Sequence, residues 1–221
     1  MFVKICGITS EQDALLAAGL GADAVGFLFS PSPRRIDART ADFIGRALPP
    51  EVIRVGVFRN EHRDHVVRTV HRARLQAVQL HGSEPLSDIA FIVERVSVVI
   101  HAMAYDDSRL DHLDDDPSQI VLIDGPTPGS GQSYDWTAVK RPPPDVRFMV
   151  AGGLTPDNVA QAINVLAPWG VDVSSGVEST PGLKDPRKVR RFIRAAKDAG
   201  RDIDRTAPIR AELPYDWDRH D

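Results

Sequence analysis

A few positions in this chain carry residue types that could do chemistry, and each falls where an apolar run gives way to small or polar residues. Cys6, the single cysteine of the sequence, closes the run from Phe2 and is followed by Gly7. A lone cysteine is either a small buried hydrophobe or, as thiolate, a base or nucleophile, and nearby cations bring its ordinary pKa of about 8.5 down. Asp124 closes Val121-Leu122-Ile123. There it could order the following loop, or act as a general acid or base. His81 ends the run from Ala77. Gly152-Gly153, ahead of Leu154-Thr155-Pro156, and Ser174-Ser175-Gly176 are two tight turns where backbone N–H groups could approach an anion closely. Arg34-Arg35 could clamp a carboxylate through paired N–H donors, or could be a solvated surface pair. Gly129-Ser130-Gly131 reads as a lid over such a site or as a plain flexible connection. His62 and His65 lie three apart on an expected helix with no third ligand in view, so no metal site is expected there.

These positions need a scaffold that brings distant chain segments to one place. Eight short apolar runs read as strands: Phe2 to Cys6, Ala24 to Phe29, Val52 to Phe58, Ala77 to His81, Val96 to Met103, Ile120 to Asp124, Arg147 to Ala151 and Val171 to Ser174. Most are continuously apolar, which means both faces are buried, as in a parallel sheet. Helix signals lie between them. Thr9 with Gln12 fits a capping box. Thr155-Pro156 and Asp185-Pro186 each place a capping residue before a proline at the first helical position. Asp106 to Asp116 is acidic, is closed by Pro117, and gives the weakest helix signal.

Strand and helix alternating eight times predicts an α/β protein with a single (β/α)8 TIM-barrel domain over 1–199. The polar stretch 200–221 is expected to be a short C-terminal extension. A doubly wound open sheet is the competing architecture, but Gly7-Ile8-Thr9 is not the glycine-rich dinucleotide turn that such a fold would usually carry after its first strand. In a barrel the active site lies at the C-terminal ends of the strands, and phosphate is often held by the loops after strands 7 and 8. Cys6, His81, Asp124 and both small-residue turns fall at that end.

Composition agrees. The 221 residues are 42% hydrophobic and 26% charged, ordinary for a globular protein. One cysteine excludes an internal disulfide framework and a multi-cysteine zinc site. A net charge of −4 gives no general pull toward nucleic acid or acidic membranes. No apolar run is long enough to span a membrane, and the N-terminus has no signal-peptide pattern, so a cytoplasmic location is expected.

The ordered segments Val3-Lys4-Ile5-Cys6-Gly7-Ile8-Thr9, Gly21 to Phe27, Val55 to Phe58, Val78-Gln79-Leu80-His81-Gly82, Gly129-Ser130-Gly131 before Asp135-Trp136, Ala151 to Leu154 and Val171 to Glu178 resemble the phosphoribosylanthranilate isomerase family of tryptophan biosynthesis. That resemblance implies an Amadori rearrangement of an aminoaldose phosphate to an aminoketose phosphate. It implies no cofactor and no metal, a small phosphorylated substrate as the partner, and a monomer or a homodimer. By resemblance Cys6 is the general base and Asp124 the general acid. Arg34 binds the substrate carboxylate, with Arg35 as the rival. Gly152, Gly153, Ser175 and Gly176 bind phosphate, and Gln79 and His81 line the pocket. Gln132 and His101 stand where relatives can carry lysine. Two other readings stay open from sequence: an isomerase of a related sugar phosphate, and a non-catalytic phosphate-binding barrel.

Overall fold

The computed structural model describes residues 1–126, 134–201 and 203. Eight parallel strands close into a barrel in chain order: β1 (Phe2–Cys6), β2 (Ala24–Leu28), β3 (Ile53–Phe58), β4 (Ala77–Leu80), β5 (Val98–Ala104), β6 (Ile120–Asp124), β7 (Phe148–Val150) and β8 (Gly170–Val173). β8 pairs with β1, with Lys4 beside Asp172 in the register. The helices are α1 (Glu11–Gly19), α2 (Ala38–Ala47), α3 (Arg63–Ala73), α4 (Leu86–Val93), α5 (Val159–Leu166) and α6 (Pro186–Ala199). A hairpin, β9 (Glu178–Thr180) and β10 (Leu183–Lys184), precedes α6.

Strand side chains alternate between the two faces. One set fills the inside of the barrel, among them Val55, Ile100, Ala102, Ile120, Leu122 and Met149. The other set, including Val3, Ile5, Phe27, Val78, Leu80 and Val99, belongs to the larger core with helix residues such as Ala14, Ile44, Val66 and Ile89. Continuous apolarity along the strands is therefore the mark of two buried faces, and it located all eight strands.

The helical layer departs from a regular alternation of eight. Between β5 and β6 the chain makes two 3-10 turns, Ser108–Asp111 and Leu113–Asp115, in place of a helix. The reason is on β5, where His101 is fully buried. Its Nδ1 lies 2.6 Å from Asp116 Oδ2, and Arg109 Nη1 lies 3.1 Å from its Nε2. A buried imidazole needs polar partners, and the acidic segment folds back to supply them. Between β6 and β7 the described residues form only the 3-10 turn Trp136–Ala138.

Capping follows the expected devices at some ends and not at others. Asp185 caps α6 ahead of Pro186, accepting from the N–H groups of Arg187 and Lys188. The α1 cap is Ser10, whose hydroxyl accepts from Asp13 N, so the expected cap at Thr9 is one residue early; Thr9 instead donates to Gly182 O at 2.6 Å. Thr155-Pro156 precedes α5 by a further turn, in which Asn158 Oδ1 accepts from Thr155 N at 2.7 Å. His62 caps α3, accepting from Asp64 N. The expected lid, Gly129-Ser130-Gly131, lies outside the described residues, as does most of the 200–221 extension.

Candidate active site

Four strands deliver the working side chains to the C-terminal rim, and the period of two decides which ones. On β1 the inward positions are Lys4 and Cys6. On β4 and just beyond it they are Gln79 and His81. β6 presents Asp124 above Leu122, and β8 presents Asp172 and then Ser174. A single cleft is lined by Cys6, Arg34, Gln79, His81 and Asp124, together with the turns Gly152-Gly153 and Ser175-Gly176. All nine residues to which the resemblance gives a part in the site are thus brought together. Arg35 does not line this cleft; it is exposed, beside Leu28 at the edge of the barrel.

Gln79, His81 and Asp124 lie in a row. The Gln79 side-chain amide Nε2 lies 2.9 Å from His81 Nδ1. His81 Nε2 lies 3.0 Å from Asp124 Oδ2. With the amide donating, Nδ1 is the acceptor and Nε2 faces the carboxyl group, close to it but without hydrogen-bond alignment. Asp124 Oδ1 accepts from Gly125 N at 2.7 Å. Tyr134 packs nearby, stacks on Tyr105 and donates its hydroxyl to Ala151 O at 3.2 Å. Burial first, and then the Asp124 charge, raise the Tyr134 phenol well above its ordinary value, so it stays protonated.

Cys6 is 6% exposed. Burial, the largest influence, raises its thiol above the ordinary range, while Lys4 opposes that rise. Lys4 is fully buried and its Nζ donates to Asp172 Oδ1 at 2.9 Å.

Arg34 is fixed on its outer side by Glu178, the first residue of β9. Its Nε and Nη2 donate to the two carboxylate oxygens at 2.8 and 2.7 Å. Glu178 also accepts from Lys184 Nζ at 2.9 Å, and that ammonium donates as well to Ser174 O at 3.1 Å. Burial works most strongly against the Glu178 charge, yet Arg34 and Lys184 together hold its pKa below the ordinary glutamate value. Burial holds Lys184 below the ordinary lysine value. The hairpin therefore locks the loop after β2 to the end of β8.

The two small-residue turns abut. A Cβ built on Gly176 would stand 1.8 Å from Leu154 O, so only glycine allows the turn after β8 to close against the turn after β7. Gly152 and Gly153 have φ of 84° and 63°, in the left-handed region. A 3-10 turn begins at Ser175, and the opening N–H groups of a helical turn have no acceptor within it. Both turns line the same cleft.

Lys4, Asp172, Glu178 and Lys184 were not singled out from sequence. Lys4 carried a signal all the same: it lies two residues before Cys6 in an apolar run, hence on the same face. Asp172 is marked in the same way, two residues before Ser174. Nothing local marks Glu178 and Lys184, whose roles come from the contact of Glu178 with Arg34, 144 positions away, and with Lys184, six positions on.

Among the described residues no group of three or more His, Cys, Asp or Glu side chains is placed to hold a metal ion, and no helix is long and apolar enough to cross a membrane. A parallel barrel whose C-terminal rim gathers a thiol, a carboxyl group with an imidazole partner and a fixed arginine defines a (β/α)8-barrel enzyme built for acid–base chemistry. The family model for N-(5'-phosphoribosyl)anthranilate (PRA) isomerase matches residues 3–195. An N-(5'-phosphoribosyl)anthranilate isomerase from Geotalea uraniireducens is 45% identical over 201 residues, spanning 88% of this chain and 98% of that one. The crystal structure of phosphoribosyl anthranilate isomerase from Thermus thermophilus superposes with a TM-score of 0.81 at 39% identity, over 90% of this chain and 99% of that chain. A phosphoribosyl anthranilate isomerase in complex with reduced 1-(O-carboxyphenylamino)-1-deoxyribulose 5-phosphate superposes with a TM-score of 0.77 at 39% identity, over the same shares. The chain belongs to the N-(5'-phosphoribosyl)anthranilate isomerase family.

Proposed function

We propose that Cys6 is the general base and Asp124 the general acid in the rearrangement of N-(5'-phosphoribosyl)anthranilate to 1-(2-carboxyphenylamino)-1-deoxyribulose 5-phosphate. One observation carries the assignment. The thiol and the carboxyl group enter a single cleft from β1 and β6, three strands apart around the ring, so they can reach one substrate from different sides.

The chemistry follows from those positions. Asp124 gives a proton to the ribose ring oxygen as the anilino nitrogen lone pair expels it, which opens the ring to a Schiff base. Cys6 takes the proton from C2, and the C–H electrons form the C1–C2 double bond and neutralise the nitrogen. The resulting enolamine gains a proton at C1 and loses the C2 hydroxyl proton, giving the ketone. Atoms and electrons balance within the substrate, so no redox partner is needed. His81 Nε2, 3.0 Å from Asp124 Oδ2, turns to donate to the carboxylate left after proton transfer, and Gln79 keeps Nδ1 as the acceptor. Arg34 binds the anthranilate carboxylate through Nη1, since Nε and Nη2 are taken by Glu178. The N–H groups around Gly153, Ser175 and Gly176 bind the phosphate.

The test is loss of substrate fluorescence on freshly made phosphoribosylanthranilate. The wild type is expected to turn over with and without a metal chelator. Cys6→Ser and Asp124→Asn are each expected to lose about 100-fold or more in kcat, the usual contribution of a positioned acid or base, with little change in KM. An unchanged rate in either folded variant removes that residue from the mechanism. Arg34→Ala is expected to act mainly on KM, by the equivalent of about 1.5–3 kcal/mol for a charged hydrogen bond.

A further inference from the structure

The inner face of β1 holds a charge that the proposed reaction does not use. Lys4 is fully buried on the inner face of the barrel, a face filled elsewhere by such residues as Val55, Ile100 and Leu122. Its ammonium is paired with Asp172 at 2.9 Å. A buried ion pair of this kind is seldom more stabilising than apolar side chains of the same volume. Packing alone therefore does not account for a lysine at this position.

The geometry beside the pair does. Gly26 of β2 is the register partner of Cys6. A Cβ built on Gly26 would stand 2.7 Å from Cys6 Sγ and 3.1 Å from Lys4 Nζ. Thiol and ammonium thus converge on one point, the space that the missing side chain leaves free. Other charged groups bear on the thiol too. Asp172 from β8 raises it and Lys184 from β10 lowers it, while Arg34 in the loop after β2 feels the Cys6 charge in return. After burial, Lys4 is the strongest influence on the thiol and the main one that favours the thiolate. Burial pulls Lys4 itself down most strongly, but Asp172 and Cys6 together raise it overall, so it keeps its proton at neutral pH.

We propose that Lys4 and Asp172 are a positioning pair for the isomerisation: Asp172 keeps the Lys4 ammonium charged and in place, and that ammonium lets the buried Cys6 work as a thiolate at neutral pH. Gly26 is small because the sulfur and the ammonium meet over it. The proposal rests on the reading of Cys6 as the general base.

Because Cys6 is the single cysteine, its thiolate can be titrated directly by ultraviolet absorbance, as a difference against Cys6→Ser, with no substrate present. The double variant Lys4→Met/Asp172→Asn removes both charges at near-constant volume. Its thiol midpoint is expected to move at least one pH unit to the alkaline side, which is a tenfold loss of thiolate at pH 7. Its kcat at pH 7 is expected to fall about tenfold, in proportion to that loss, with KM nearly unchanged, and to recover as the pH is raised. Lys4→Arg, which keeps the charge, is expected to hold the midpoint near that of the wild type. Should the double variant not fold, Lys4→Gln, which can still donate to Asp172, is expected to shift the midpoint in the same direction. A midpoint that stays put in a folded variant without the ammonium overturns the proposal. So does a kcat that falls equally at every pH. If Cys6→Ser is as active as the wild type while the midpoint still shifts, the base assignment fails and the electrostatic link between Lys4 and Cys6 stands.

Discussion

Glu178→Gln is a sharp test of how the site is held together. Glu178 accepts two hydrogen bonds from Arg34 and one from Lys184, and its side chain is 4% exposed. The substitution keeps the shape and removes the charge, which leaves the buried Lys184 and the part-buried Arg34 facing each other without an anion. Three charged hydrogen bonds at about 1.5–3 kcal/mol each set an upper limit that neighbouring interactions do not reach, because they are not additive. Removing one partner from a buried ion pair costs about 3–5 kcal/mol. Glutamine retains one accepting oxygen, so the low end applies, about 3 kcal/mol. For a domain of this size that is a loss of about 6–12 °C in Tm. Urea unfolding should show the same gap, and KM should rise because Arg34 is no longer held at the cleft.

The pH dependence of that gap checks its cause. The Glu178 pKa is lower in the folded state than its ordinary value of 4.5. Its contribution is therefore complete above that ordinary value and is lost as the pH falls through the lower, folded value. The difference between wild type and Glu178→Gln should be flat from pH 7 to pH 5 and should narrow below pH 4.5. A Tm loss under about 2 °C, well short of the expected shift for a domain of this size, refutes the reasoning. So does a gap that narrows on the alkaline side.

Other residues separate the site from its scaffold. Gly176→Ala would place a methyl carbon 1.8 Å from Leu154 O, so the two turns must part. It is expected to raise KM and the inhibition constant for inorganic phosphate by about tenfold or more, the worth of one charged hydrogen bond, as read by competitive inhibition. His101→Leu removes the imidazole between Asp116 and Arg109. Urea unfolding is expected to show a loss of about 3 kcal/mol for the buried carboxylate left behind, with kcat/KM at saturating stability conditions unchanged. Exchange of Arg35 for Ala is expected to leave KM within about twofold, since surface substitutions away from such features have small effects; a larger rise there than at Arg34 would reverse the choice between the two arginines.

Those contrasts bear on what a sequence can reveal. The strands were legible because each is buried on both faces, and that condition writes itself into consecutive residues. The six α-helices among the described residues were less so. The segment after β5 has helix-compatible length, yet one polar side chain on the outer face of β5, the buried His101, reroutes it to bring Asp116 within hydrogen-bond reach. Caps shifted by a residue for a related reason. Thr9 and Ser10 offer the same hydroxyl to α1, and only the contact of Thr9 with Gly182 across the fold decides between them.

The same division runs through the site. Cys6 and Asp124 end their strands and His81 directly follows β4, so the barrel rule alone places them at the rim. The resemblance favours Arg34 over Arg35, and the fold adds what sequence lacks: Arg34 lines the cleft and is held there by Glu178, 144 positions away. Lys4 is the intermediate case. Its spacing from Cys6 guarantees a shared face, and its charge in an apolar strand is an anomaly visible in the sequence. What the sequence does not contain is the other half of the argument: that Asp172 closes the ring beside it through the β8–β1 pairing, and that Gly26 leaves the gap where sulfur and ammonium meet. Barrel closure is what turns an odd lysine into a partner of the thiol.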